Sequence, residues 1–191
     1  PTQVYLFGTC LNDTLFPDSG IDAIEFLERQ GIEVIFPQGQ SCCGQPAYNS
    51  GYTEQAKAVA REQVKHFALD IPIVVISGSC GGMMRHHYQE LLKDEPNINA
   101  FCDRIFEFTE FLVHALKIKL TDSGPYERVA MHTSCAARRE MGVHITSKKL
   151  LSQLSQVELI THDYESECCG FGGTFSVRMP EVSGARGLDK T

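Results

Sequence analysis

The sequence predicts an α/β protein built on parallel strands. Three observations predict it. Short β-branched runs alternate with amphipathic helical stretches. A strand–Cys–helix–strand–Cys-Cys-Gly pattern occurs twice. Seven of the eight cysteines fall just after an expected strand.

The elements follow in order. Residues 4–7 form a short β run. Residues 18–30 fit a helix with Ser19 as N-cap, Ile21, Ile24 and Leu27 facing inward, and Gly31 as its stop. Residues 32–36 make a second strand closed by Pro37. Residues 53–68 place Ala56, Val59, Ala60, Val64 and Phe67 on one helix side. Residues 73–76 are β-branched and read as a buried strand. A helix is expected from after Gly82 to about Lys93. Another is expected over 102–117, where Ile105, Phe108, Leu112 and Ala115 recur at steps of three and four. Residues 129–132, 140–154 and 157–161 then repeat strand, helix, strand. Such alternation implies βαβ units with right-handed crossovers. Linkers are expected at 94–100, around Pro96, and at 121–126.

The repeat is internal and specific. Tyr5-Leu-Phe-Gly-Thr-Cys10 aligns with Ala130-Met-His-Thr-Ser-Cys135, and Glu33-Val-Ile35 with Glu158-Leu-Ile160, both at an offset of 125. Cys42-Cys43-Gly44 aligns with Cys168-Cys169-Gly170 at 126. The reading is two pseudo-repeated, Rossmann-like halves with parallel strands and flanking helices, the first over 1–120 and the second over 121–191.

Composition narrows the function. The net charge is 17 − 24 = −7, which speaks against a basic nucleic-acid-binding face. Hydrophobic residues make up 42%, too many for a disordered chain. The apolar runs are far shorter than a membrane span requires, and residues 1–10 carry no signal-like pattern. A reducing, cytoplasmic setting is therefore expected. Eight cysteines are about 4% of the chain, below the level of a disulfide scaffold. Spaced cysteines in that setting point to metal binding or redox chemistry.

In an open parallel sheet the loops after strand C-termini gather on one edge, where ligands bind. Cys10, Cys42, Cys43 and Cys80 come from three such loops. Four thiolates suit an iron–sulfur cluster or an all-thiolate zinc site. Gly44, Gly78, Gly81 and Gly82 allow close backbone approach. Zinc sites favour cysteine pairs with two residues between them, and none occurs. Adjacent cysteines favour a cluster, where two sulfurs bind different irons. Zinc and thiol redox chemistry stand as the alternatives. Cys102 has no counterpart in the repeat and reads as structural. His132 is either a proton carrier beside the second site or a histidine satisfied by backbone. Arg85, His86 and His87 either line an anion pocket or form a solvated face, and Arg138-Arg139 lean toward the surface. The glycine-rich loops match neither a dinucleotide fingerprint nor a Walker loop.

Four stretches carry a family resemblance: Cys10-Leu-Asn-Asp-Thr-Leu-Phe-Pro17, Gly39-Gln-Ser-Cys-Cys-Gly-Gln-Pro-Ala-Tyr-Asn-Ser-Gly51, Ser77-Gly-Ser-Cys-Gly-Gly-Met83 with Arg85-His-His-Tyr88, and Glu167-Cys-Cys-Gly-Phe-Gly-Gly-Thr-Phe-Ser-Val-Arg-Met-Pro180. They resemble the CCG (cysteine-rich) domain family, found in heterodisulfide reductase and in iron–sulfur subunits of glycolate and lactate oxidation, the lactate utilization A type most closely. The resemblance implies a cytoplasmic iron–sulfur subunit of an oxidoreductase complex acting on L-lactate or glycolate. It would pass electrons to an acceptor beside LutB-like and LutC-like partners. It implies a cluster of the [4Fe-4S] type on Cys10, Cys42, Cys43 and Cys80, and a second, incomplete site at Cys135, Cys168 and Cys169. The alternatives are a zinc-stabilised assembly subunit without redox activity and a heterodisulfide reductase-like thiol–disulfide enzyme. Met83 stands where the family motif has a further cysteine. The first-half gap, 80 − 42 = 38, would put the second half's late cysteine at 168 + 38 = 206, so that half is expected to be incomplete at its C-terminal end.

Overall fold

A computed structural model describes residues 1–190; Thr191, the expected end of the second half, lies outside them. The chain divides into two compact units, Pro1–Phe108 and Thr109–Thr191.

In the first unit, β1 (Gln3–Phe7) runs into α1 (Cys10–Leu15), α2 (Pro17–Arg29) and β2 (Glu33–Ile35). There follow α3 (Gln45–Asn49), α4 (Thr53–His66) and β3 (Ile73–Val75). Next comes one continuous helical stretch. It consists of α5 (Gly78–Gly82), a π-helical turn at Met83–His87, and α6 (Tyr88–Leu91). The unit closes with α7 (Ile98–Asp103) and β4 (Ile105–Glu107). All four strands are parallel, in the order β2-β1-β3-β4. Helices on both faces bury β1, so Val4, Tyr5, Leu6 and Phe7 are all in the core. On one face Phe67 meets Tyr5 edge-on at 5.2 Å, and Phe101 stacks on Tyr88 at 6.3 Å.

Two local expectations are corrected. The first helix starts at Pro17, whose fixed φ suits a first helical position, with Phe16 rather than Ser19 as N-cap. Its buried side chains are Ala23 and Leu27, whereas Ile21 is 54% exposed and Ile24 only half-buried. The expected helix over 102–117 does not exist as one element. Ile105, Phe106 and Glu107 pair with β3 at Ile73, Val74 and Val75. The open edge of β3 recruits a β-branched and aromatic segment that local periodicity assigned to a helix. Helix returns only at α8 (Phe108–Glu110), continued by a π-helical turn at Phe111–Ala115.

The second unit repeats the first in shorter form. β5 (Glu127–Ala130), α9 (Cys135–Arg139), α10 (Val143–Leu151) and β6 (Val157–Ile160) form one parallel βαβ. Ala130 pairs with Ile160 as Tyr5 pairs with Ile35, at the expected offset of 125. The expected helix over 140–154 is α10, which begins only at Val143 because Gly142, its N-cap, has a φ of 63°. α11 (Phe175–Arg178) and α12 (Pro180–Lys190) follow. Among the described residues no helix is long and apolar enough to cross a membrane.

Candidate metal centre

In the first unit, β1, β2 and β3 are parallel neighbours, so the loops leaving their C-terminal ends share one edge. Cys10 opens α1 there, Cys42-Cys43 precede α3, and Cys80 sits in α5. All four thiols are free. Cys10 is exposed, Cys42 half-buried, and Cys43 and Cys80 buried.

Each loop is held in place by the backbone around it. Thr9, the N-cap of α1, has φ 59° and is buried, and its hydroxyl accepts from the Asn12 N–H at 3.4 Å. A β-branched residue in that region is strained and persists only where its surroundings impose it. Gly44 has φ 82° and turns its N–H onto Cys42 Sγ at 3.4 Å. The Tyr88 hydroxyl, wholly buried, donates to the Cys43 carbonyl at 2.8 Å. Gln45 Nε2 donates to the Ser79 carbonyl at 3.1 Å and ties the second loop to the third. Sequence reasoning alone misses Thr9, Gln45 and Tyr88 as supports of the site. Gln45 and Tyr88 stand inside the motif stretches that carry the family resemblance, which is the signal that could have found them.

The thiols act on one another. Hydrogen bonding from Cys43 lowers Cys42 to about 5, with the Gly44 N–H and Cys10 helping and burial opposing. Cys43 is held well above the usual thiol range, first by Cys42 and then by Cys80. Cys80 is lowered, first by Cys43, with the Ser77 and Ser79 hydroxyls assisting. Cys10 is raised to about 11 by burial and then by Cys42. The four sulfurs thus form one interacting set, with thiolate character concentrated on Cys42 and Cys80.

The second unit presents the same arrangement with three cysteines. Cys135 opens α9 behind the N-cap Ser134, whose hydroxyl accepts from the Ala137 N–H at 3.4 Å. Gly170 has φ 82° and points its N–H at Cys168 Sγ at 3.3 Å. Burial, then Cys168, raises Cys135. The Thr133 hydroxyl, two residues before Cys135, is buried and finds no hydrogen-bond partner among the described residues. Such an orphan costs about 1–3 kcal/mol unless an acceptor reaches it.

The remaining candidates resolve individually. Cys102 is fully buried, donates to the Met84 carbonyl at 3.2 Å, and is pushed up to about 12 by burial and Asp103; it is a structural thiol. Met83 packs in the core. Arg85 donates to the Ile105 carbonyl and lies over Phe106, anchoring β4. Arg138 is no surface group: with Lys148 it pairs with buried Glu165, at 3.1 and 2.9 Å. His132 is exposed overall, and the partial desolvation of its ring, then the Lys190 charge, lowers its pKa.

A donor set of thiolates, with backbone N–H groups on the sulfurs, fits a soft metal or an iron–sulfur cluster. Among the described residues no three His, Cys, Asp or Glu side chains converge to hold a single metal ion. A cluster does not require that convergence, because each thiolate binds its own iron.

The fold and sites define two successive parallel α/β units, of four strands and of two, each presenting a lone cysteine and a Cys-Cys-Gly loop after its strands. The chain belongs to the cysteine-rich (CCG) domain family, whose model matches residues 4–85 and 129–190. It is 42% identical over 185 residues to lactate utilization protein A 2 of Bacillus cereus (strain Q1), covering 95% of this chain and 76% of that protein. It is 41% identical to lactate utilization protein A 1 of Bacillus anthracis, with the same coverage. It is 43% identical to lactate utilization protein A of Halalkalibacterium halodurans, across 95% of this chain and 75% of that one.

Proposed function

We propose that the chain is the iron–sulfur redox subunit of a complex that oxidises L-lactate or glycolate in the cytoplasm. The carrying observation is the interacting set of Cys10, Cys42, Cys43 and Cys80 on one sheet edge. The relatives' name supplies lactate as the substrate class. Cys10, Cys42, Cys43 and Cys80 would hold a [4Fe-4S] cluster, and Cys135, Cys168 and Cys169 a second, less complete site. A bound cluster would supply one-electron transfer between the oxidising centre and an acceptor.

The protein's own residues do the rest. Cys42 and Cys80, already inclined to the thiolate, offer ligands at little proton cost. Gly44 N–H and the Ser77 and Ser79 hydroxyls place dipoles on the sulfurs, the interactions that tune potential. Cys10 is exposed, which suits exchange of electrons with a LutB-like or LutC-like partner.

The test is anaerobic purification with iron and acid-labile sulfide counts and electron paramagnetic resonance. Iron with stoichiometric sulfide, lost in Cys42→Ser and Cys80→Ser and kept in Cys102→Ser, is the expected result. Zinc without sulfide would replace this reading with that of a structural zinc subunit. Disulfide turnover by metal-free protein would replace it with a thiol–disulfide enzyme.

A further inference from the structure

Each Cys-Cys-Gly loop is backed by a later helix, and the two helices are equivalent residue by residue. In the first unit, a side chain on Gly44 would meet the Ala56 carbonyl at 3.4 Å and Val59 Cγ1 at 3.5 Å, both on α4. In the second, one on Gly170 would meet the Ser183 carbonyl and Arg186 Cβ, both on α12. Ala56 to Ser183 and Val59 to Arg186 are each an offset of 127. α12 therefore repeats α4, although only Glu54/Glu181 and Ala58/Ala185 are identical among the eleven aligned positions.

The same offset takes Gln63 to Lys190. Gln63 is wholly buried and bonds to the residue before the first cysteine pair. Its Oε1 accepts from the Ser41 N–H at 3.2 Å, and its Nε2 donates to Ser41 Oγ at 2.7 Å. Lys190 does the equivalent work with a cation. Its Nζ donates to the carbonyls of Tyr164 at 2.7 Å, Glu165 at 3.1 Å and Glu167 at 2.7 Å. Three carbonyls satisfy all three ammonium donors. Glu167 precedes Cys168 as Ser41 precedes Cys42.

We infer that Gln63 and Lys190 are equivalent positioning residues, each clamping the backbone that delivers its Cys-Cys pair, and that the Lys190 cation makes the second unit's site more easily reduced than it would be without that charge. The chemistry is direct. Both clamps fix the chain one residue before the leading cysteine of the pair. The amide is neutral, whereas the ammonium is charged and lines the same 270 Å³ hollow as Cys168. Its field reaches the end of β5, where it opposes protonation of His132. Positive charge beside a thiolate-bound centre favours the reduced, more negative state. The redox half rests on the second-site reading above; the clamp does not.

The test uses Lys190→Met, Lys190→Arg and Gln63→Met in the full chain, with two readouts. The first is hydrogen exchange of the metal-free protein. Lys190→Met should speed exchange across 164–170 by at least about tenfold, since it removes all three ammonium bonds and one net bond is worth about that factor, and leave 41–44 unchanged. Gln63→Met should do the reverse, and Lys190→Arg should stay near the parent. Unchanged exchange over 164–170 in Lys190→Met, or acceleration across the whole chain, overturns the clamp. The second readout is the midpoint potential of each centre after anaerobic reconstitution with iron and sulfide. The second unit's centre should fall in Lys190→Met and hold in Lys190→Arg, with the first centre unmoved. A second centre whose potential ignores Lys190→Met overturns the charge effect. If the reconstituted parent shows one centre only, the second-site reading and the redox half fail together, and the exchange comparison alone decides the clamp.

Discussion

Replacing the glycine after each cysteine pair by alanine gives a differential test of how these loops are packed. Gly44 and Gly170 share φ 82°, so each substitution meets the same left-handed penalty, about 1–2 kcal/mol. Their surroundings differ. A Cβ at Gly44 finds its nearest neighbour at 3.4 Å, an ordinary contact. At Gly170 it would collide with the Ser183 carbonyl oxygen and lie 3.0 Å from its carbon. Both are backbone atoms of α12, so the helix or the loop must move. Ser183 Oγ also donates to the Gly170 carbonyl at 2.8 Å, and that bond is put at risk. Overpacking adds about 1–3 kcal/mol and the bond about 1 kcal/mol. Gly170→Ala should therefore cost roughly 2–4 kcal/mol more than Gly44→Ala. The assay is denaturant unfolding followed by hydrogen exchange on peptides of each unit separately, which avoids treating two units as one transition. Costs equal to within about 0.5 kcal/mol, below the spread of ordinary surface substitutions, would refute the packing of α12 on the second cysteine loop.

Further expectations concern the thiols, one charge cluster and the core. In metal-free protein at neutral pH, iodoacetamide should label Cys42 first, since its thiol is lowered to about 5 while the more exposed Cys10 is raised to about 11; peptide mass spectrometry showing Cys10 ahead would contradict the coupling. Cys102 should resist labelling until the protein unfolds. Lys148, then Arg138, holds the Glu165 carboxyl below its usual 4.5. A depressed folded value means its stabilisation is complete above the unfolded pKa and is lost as pH falls through the folded one. Glu165→Gln should flatten the acid loss of stability in the second unit, and an unchanged acid limb in a pH series of melts would speak against the ion triad. Leu27 is wholly buried, so Leu27→Ala should cost about 2–5 kcal/mol in urea unfolding of the first unit, and under 1 kcal/mol would mean α2 is not seated on the sheet.

The repeat, the parallel α/β class and the placing of cysteines after strands were all legible in the amino-acid order. Each is local or periodic: β-branched runs, helical spacing and twice-used Cys-Cys-Gly triplets are visible without any contact. Features that depend on partners emerged only on folding. Residues 105–107 carry a helical spacing and a β-type composition together, and only the unpaired edge of β3 selects the strand. The face that α2 buries follows from how it seats on the sheet, which put Ala23 and Leu27 inward and left Ile21 in solvent. Arg138 read as a surface charge because its partner Glu165 lies 27 residues away. The match between Gln63 and Lys190 was hidden for the same reason. An amide and an ammonium are dissimilar as letters, and they become equivalent only when folding brings each against the backbone that enters a cysteine pair. Hydrogen bonding to backbone places few demands on side-chain identity, so an amide and an ammonium can hold equivalent places in the two units.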